Sequence, residues 1–131
     1  MRTKLALLLP LLTLGCGDET ISGYAERTAV YSLIELDGAP YAATATISFP
    51  EPGRAAGEGP CNTWFATQSA PYPWIELGPI GATRRACPEL EEETKFFEAL
   101  SQVSLAEVLG PVLILTTEDG AELVFEAVED S

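Results

Sequence analysis

Two Asp-Gly dipeptides, Asp37-Gly38 and Asp119-Gly120, each stand between runs in which apolar residues recur at every second position. Asp-Gly supplies the positive φ angles that a tight hairpin needs, and a two-residue period puts one face of a strand in the core. Together they commit the chain to antiparallel sheet. Before the first turn Val30, Ile34 and Leu36 share a face; after it Tyr41, Ala43, Ala45, Ile47 and Phe49 alternate with Ala42, Thr44, Thr46 and Ser48. Pro50, Pro52 and Gly53 close that strand. The segments Asn62-Thr63-Trp64-Phe65 and Trp74-Ile75-Glu76-Leu77 read as two more strands, with a loop at 68–73 between them. Gly110-Pro111 then opens Val112-Leu113-Ile114-Leu115, a strand apolar on both faces, which predicts cover on each side. In the last strand Leu123 and Phe125 alternate with Glu122 and Glu126.

One helix interrupts the strands. Pro88 suits a first helical position, and Glu89, Glu91, Glu92 and Glu93 favour the positive end of a helix dipole. Leu90, Phe96, Phe97, Leu100 and Val103 fall on one arc, so this face should cover a sheet. The acidic run reads as a solvated helix start, a commoner situation than a metal site. The expected class is α+β, mostly β, with one amphipathic helix packed across the strands.

The N-terminus is of a different kind. Arg2 and Lys4 precede a short apolar run, Leu5 to Leu14, which fits the h-region of an export signal and is too short to span a bilayer. Thr13-Leu14-Gly15-Cys16 at its end resembles the lipobox of bacterial lipoproteins, in which the cysteine is acylated and becomes the new N-terminus. The alternative is an ordinary secretory signal cleaved near a cysteine; both readings put the mature chain outside the cytoplasm. The expected layout is a signal at 1–15, a polar tether at 16–28, a domain at 29–128 and a tail at 129–131. Gly17, where lipoproteins retained in the inner membrane carry aspartate, leans toward the outer membrane.

Three cysteines in an exported chain leave an odd one. Acylation of Cys16 would remove it from the thiol count and leave Cys61 and Cys87 to pair, worth about 3.5 kcal/mol by loop-closure entropy. Free thiols, one of them a nucleophile, are the competing reading, but the chain has no histidine to activate one. Without Arg2 and Lys4, 5 basic residues face 20 acidic ones, a formal charge of −15. Such a surface repels nucleic acid and anionic lipid, so a membrane link would run through acyl chains.

Three segments in order resemble the META domain family, which includes the heat-shock protein HslJ. They are Tyr31 to Gly38; Gly57-Glu58-Gly59-Pro60-Cys61-Asn62, with Pro60 where glycine is usual; and Thr83-Arg84-Arg85-Ala86-Cys87 followed by acids and Phe96-Phe97-Glu98-Ala99-Leu100. Gly110 through Phe125 matches the closing hairpin. The resemblance covers residues 29–128 and implies a small cracked antiparallel β-barrel with a helix across it. It carries over no catalytic residues, and Pro60 removes any backbone N–H contact made at that position.

The absence of histidine also excludes Ser-His-Asp and Cys-His catalysis and histidine-bearing zinc sites. No phosphate-loop or dinucleotide fingerprint is present, so neither an enzyme nor a cofactor is expected. If the cysteines are bonded, Asn62, Trp64, Thr83, Arg84 and Arg85 are drawn together around them. The two arginines could take a carboxylate from a peptide or small ligand, or only neutralise the acidic helix start, the reading the sequence favours. Trp64 and Trp74 read as core or rim residues. Ala42, Ala43 and Ala45 either let the helix approach closely or leave room for an apolar guest. The sequence points to a lipid-anchored envelope accessory protein without catalysis, stress- or assembly-related, with an envelope protein or a small ligand as partner; the alternative is a binding module for a small apolar or anionic ligand or a peptide, held in the barrel or at the cysteine-flanking cluster.

Overall fold

The computed structural model describes residues 17–128; the signal at 1–15, Cys16 and the tail at 129–131 lie outside the described residues. In chain order the elements are β1 (Tyr31–Leu36), β2 (Ala39–Pro40), β3 (Thr46–Ile47), β4 (Arg54–Glu58), β5 (Thr63–Ser69), β6 (Glu76–Leu77), β7 (Gly81–Ala82), α1 (Leu90–Leu100), β8 (Val103–Leu109), β9 (Val112–Thr117) and β10 (Glu122–Ala127). Two antiparallel sheets result. The larger runs β2-β1-β10-β9-β8 with β3 also on β1, and the smaller runs β4-β5-β6 with β7 on β5. They do not fuse into a closed cylinder. Single bridges join them at two corners, Ser48 to Ala56 and Trp74 to Leu105.

The helix completes this cracked barrel by reaching both sheets. Phe96 lies 6.1 Å from the Trp64 ring on β5 and 6.5 Å from Phe125 on β10, both edge-on. Tyr31, Ile47, Phe49, Leu113, Leu115 and Leu123 fill the space around it. The interior is a packed core, held by apolar burial and aromatic edges.

Turn chemistry sets the hairpins. Asp37 and Gly38 take φ of 50° and 83°, so Leu36 pairs with Ala39 across a two-residue turn. The second Asp-Gly turn is longer than its dipeptide implies. The Thr117 hydroxyl donates to Asp119 Oδ1 at 2.5 Å and accepts from Ala121 N at 3.0 Å, closing a four-residue loop before Glu122. Gly110-Pro111 makes the tighter hairpin, pairing Leu109 with Val112.

Several expectations about faces and strands change. β5 runs on through Gln68 and Ser69, expected as loop, and Val103, expected on the helix arc, opens β8. Val30 and Ile34 are exposed, and Tyr31 and Leu33 are the buried residues of β1. A register shift between Leu33 and Glu35 sets Ile34 out of the ladder, so the inward face passes from Leu33 to the half-buried Leu36. From Tyr41 to Phe49 burial alternates as the period requires, yet only Thr46 and Ile47 form a strand. Tyr41 N to Ile34 O and Leu33 N to Ala45 O fasten the ends of the 41–45 segment, and the alanines and threonine between loop away from the ladder. Val112 and Ile114 on the outer face of β9 are only half-buried, so cover on that side is partial.

The polar segment at 17–28, expected as a tether, is docked onto the domain. Asp18 accepts from Thr20 N at 2.9 Å, from Thr20 Oγ1 and from Ser22 Oγ, a turn that winds residues Ile21–Gly23 into a 3-10 helix. That places Ile21 in the core with no exposed surface. Burial alone would raise the Asp18 pKa, but the Ser22 and Thr20 hydrogen bonds and the charge of Arg27 outweigh it and hold the carboxyl below its ordinary value.

Candidate functional site

The turn that leads from β4 into β5 closes on a buried carboxylate. Glu93, on the first turns of α1, is only 3% exposed. Its Oε2 accepts from Cys61 N at 2.9 Å and from Asn62 N at 2.8 Å, and its Oε1 accepts from Asn62 Nδ2 at 2.7 Å. Gly59 is required there, because a Cβ would lie 2.6 Å from Glu93 Oε2. Pro60 costs the contact nothing, since the donors are the next two residues.

Asn62 then carries the connection outward. Its Oδ1 accepts from Arg85 N at 2.6 Å and from Thr83 Oγ1 at 2.9 Å, and its Nδ2 also donates to Arg85 O at 3.0 Å. Thr83 Oγ1 in turn accepts from Thr63 N at 3.2 Å. The disulfide between Cys61 and Cys87, Cα atoms 5.6 Å apart, ties the same turn to the residue before Pro88. Three stretches far apart in sequence are thereby locked together: the β4–β5 turn, residues 83–87 and the helix start.

Of the residues singled out by sequence, Asn62, Thr83 and the Arg85 backbone meet here. Trp64 does not. It faces the core from β5, with Ala66 and Gln68 on the same buried side, and its Nε1 donates to Thr46 O at 3.1 Å. Gly57 permits this, because a Cβ at that position would collide with Thr46 O and the Trp64 indole. The arginine side chains form no ion pair with the helix start: the one ion pair among the described residues is Lys95–Glu92, 3.3 Å. Arg84 and Arg85 instead line an open cleft of about 450 Å³ with Ile80, Ala82 and the exposed Leu90.

Glu93 was the residue missed. Four acids within five residues suggest a solvated cap, but positions 93, 96, 97 and 100 share one helical arc, the signal available in the sequence. Of the two readings of the alanines, close approach of the helix is the one observed. Ala45 is buried, and the Tyr41 hydroxyl donates to Glu92 O at 2.8 Å, so the helix does come close. Burial, then the charges of Glu92 and Glu93, push the Tyr41 phenol pKa up. Ala42, Ala43 and Thr44 leave a cleft of about 600 Å³ on the outside.

Residues 25–130 match the model of the META domain. The chain belongs to the META domain family. Solved structures share the fold. A protein from Burkholderia xenovorans, determined by NMR, superposes with a TM-score of 0.62 at 16% identity, covering 98% of this chain and 100% of that one. A DUF4847 family protein from Bacteroides vulgatus, a crystal structure, gives 0.62 at 14% identity, covering 80% and 96%. No curated protein matches the chain. The Gly59-Pro60-Cys61-Asn62 segment of this META domain thus forms the latch on Glu93, and its polar atoms bond to the chain itself. A general base must reach a substrate proton, and the Glu93 oxygens are buried and already hydrogen-bonded.

The latch has a measurable worth. Glu93→Ala leaves three N–H donors buried without their acceptor and should lower the unfolding free energy by about 3 kcal/mol or more in denaturant titrations. Glu93→Gln keeps one oxygen but turns an NH2 toward the donors, and should fall between wild type and Glu93→Ala.

Proposed function

We propose that this protein is a lipid-anchored, non-catalytic accessory protein of the bacterial cell envelope, its META domain facing the periplasm, with the outer membrane favoured and an envelope protein as partner. One observation carries the reading. Bonding between Cys61 and Cys87 accounts for two of the three cysteines, and the third stands at the end of the lipobox-like Thr13-Leu14-Gly15-Cys16. The disulfide suits an oxidising compartment, and the formal charge of −15 leaves acyl chains as the means of holding a membrane. No helix among the described residues is long and apolar enough to cross one. The internal use of the polar groups around Asn62 and Glu93 supports a scaffold role for them in place of catalysis.

A second reading is favoured by Arg84 and Arg85, whose side chains have no carboxylate partner among the described residues and flank an apolar patch at Ile80 and Leu90. Such a cleft suits the terminal carboxylate of a peptide with an apolar last residue.

Each reading has its test. Mass spectrometry of protein extracted from membranes should find Cys16 acylated at the mature N-terminus, and Cys16→Ser should abolish that processing while the domain still folds. A soluble, unmodified product cleaved elsewhere would contradict the anchor. For the cleft, an NMR titration with short peptides carrying a free carboxylate should shift residues 80–90. The Arg84→Gln/Arg85→Gln variant should lose those shifts with at most about 1 kcal/mol of stability changed; shifts equal in both proteins would dismiss the reading.

A further inference from the structure

The docked segment at 17–28 has a geometric consequence for the bilayer. Asp18 is fixed by its Thr20 and Ser22 contacts, and Glu19 O accepts from Tyr72 N at 2.8 Å. The Tyr24 ring stacks on Tyr72, centroids 4.3 Å apart. Tyr72 in turn leads through Pro73 to Trp74, which bridges Leu105 at the corner between the sheets. Tyr24 is 54% exposed, Trp74 56% and Leu105 42%. An exposed aromatic loop is therefore tied by a backbone hydrogen bond to a residue three positions from Cys16.

We infer that the Tyr24–Tyr72–Trp74 patch is a membrane-contact surface that seats the domain on the headgroup layer of a zwitterionic phospholipid bilayer. This rests on the anchoring of Cys16 proposed above. An acylated Cys16 sits at the boundary of the hydrocarbon, and three residues extend at most about 11 Å. The headgroup region on each side of a bilayer is about 5–8 Å deep. The chain between anchor and patch is thus too short to hold the patch far out in solution. The residues present are suited to that depth: tryptophan and tyrosine, with apolar rings and a polar handle, concentrate at the membrane–water interface. The surrounding charge selects the lipid. Asp18, Glu19, Glu76 and Glu107 lie on or next to the segments that form the patch, and the mature chain is strongly acidic, so anionic headgroups repel this face while zwitterionic ones accept it.

Tryptophan emission tests this directly, because the chain has two tryptophans and Trp64 is buried. The full-length processed protein, its N-terminal mass measured, is reconstituted into phosphatidylcholine vesicles containing brominated phospholipid, and flotation is recorded. Emission from wild type should shift to the blue and lose intensity to the bromines. Trp74→Phe should float equally and show neither change, which assigns the signal to Trp74. An acylated protein that floats with Trp74 unquenched would overturn the inference and leave the anchor standing; the patch would then be free for a protein partner. A product without acyl chains that fails to float would remove the anchor reading and this inference together.

Discussion

The Glu93 carboxylate and the three N–H groups of Cys61 and Asn62 that surround it join the helix to the smaller sheet through polar contacts alone, one turn before Phe96 and Phe97 reach Trp64. Taking a carboxylate out of water costs several kcal/mol unless donors replace the lost hydration. Here they do, and they come from a turn whose amides would be left without an acceptor if Glu93 were absent. The constraint is mutual. Gly59 must lack a side chain for the carboxylate to fit, Asn62 must be an amide to donate inward and accept outward, and the Cys61–Cys87 bond keeps residues 83–87 within reach of it. From this latch the helix is aimed so that Phe96 meets Trp64 on one sheet and Phe125 on the other. A cracked barrel has little inter-sheet hydrogen bonding to hold it shut. In this one the helix and its polar latch do much of that work.

This arrangement explains why the motif-bearing turn offers little to a ligand. The side-chain amide of Asn62 makes four hydrogen bonds, all to the chain. What remains outward are the guanidinium groups of Arg84 and Arg85 and, at the other end of the domain, the aromatic loop fastened to the N-terminal segment. At Arg85 polar cohesion and outward chemistry meet, the backbone bonded to Asn62 and the side chain lining the cleft.

Much of this was legible in the residues. The strand β9 follows from its apolar run between turn signals, β10 from its alternation, the helix from its apolar arc, and the meeting of Asn62 with Thr83 and Arg85 from the cysteines beside them. Three features were hidden for physical reasons. At Ile34 a bulge reverses the inward face of β1, and period-two counting has no means of seeing one extra residue. At Glu93 the sequence context argued for solvent, because acids at a helix start are stabilised by the dipole whether or not one of them is also buried. In the 17–28 segment only Ile21 is strongly apolar within the docked turn, so composition alone reads as tether, while Asp18 supplies the hydrogen bonds that fold it down.

The latch itself can be watched at its two backbone donors. Hydrogen exchange at the Cys61 and Asn62 amides should be as slow as at the central strand β9, proceeding only through global unfolding, because their acceptor is inside the structure and leaves it only when the helix does. Exchange at these two amides through local opening, orders of magnitude faster than in β9, would contradict the role given to Glu93.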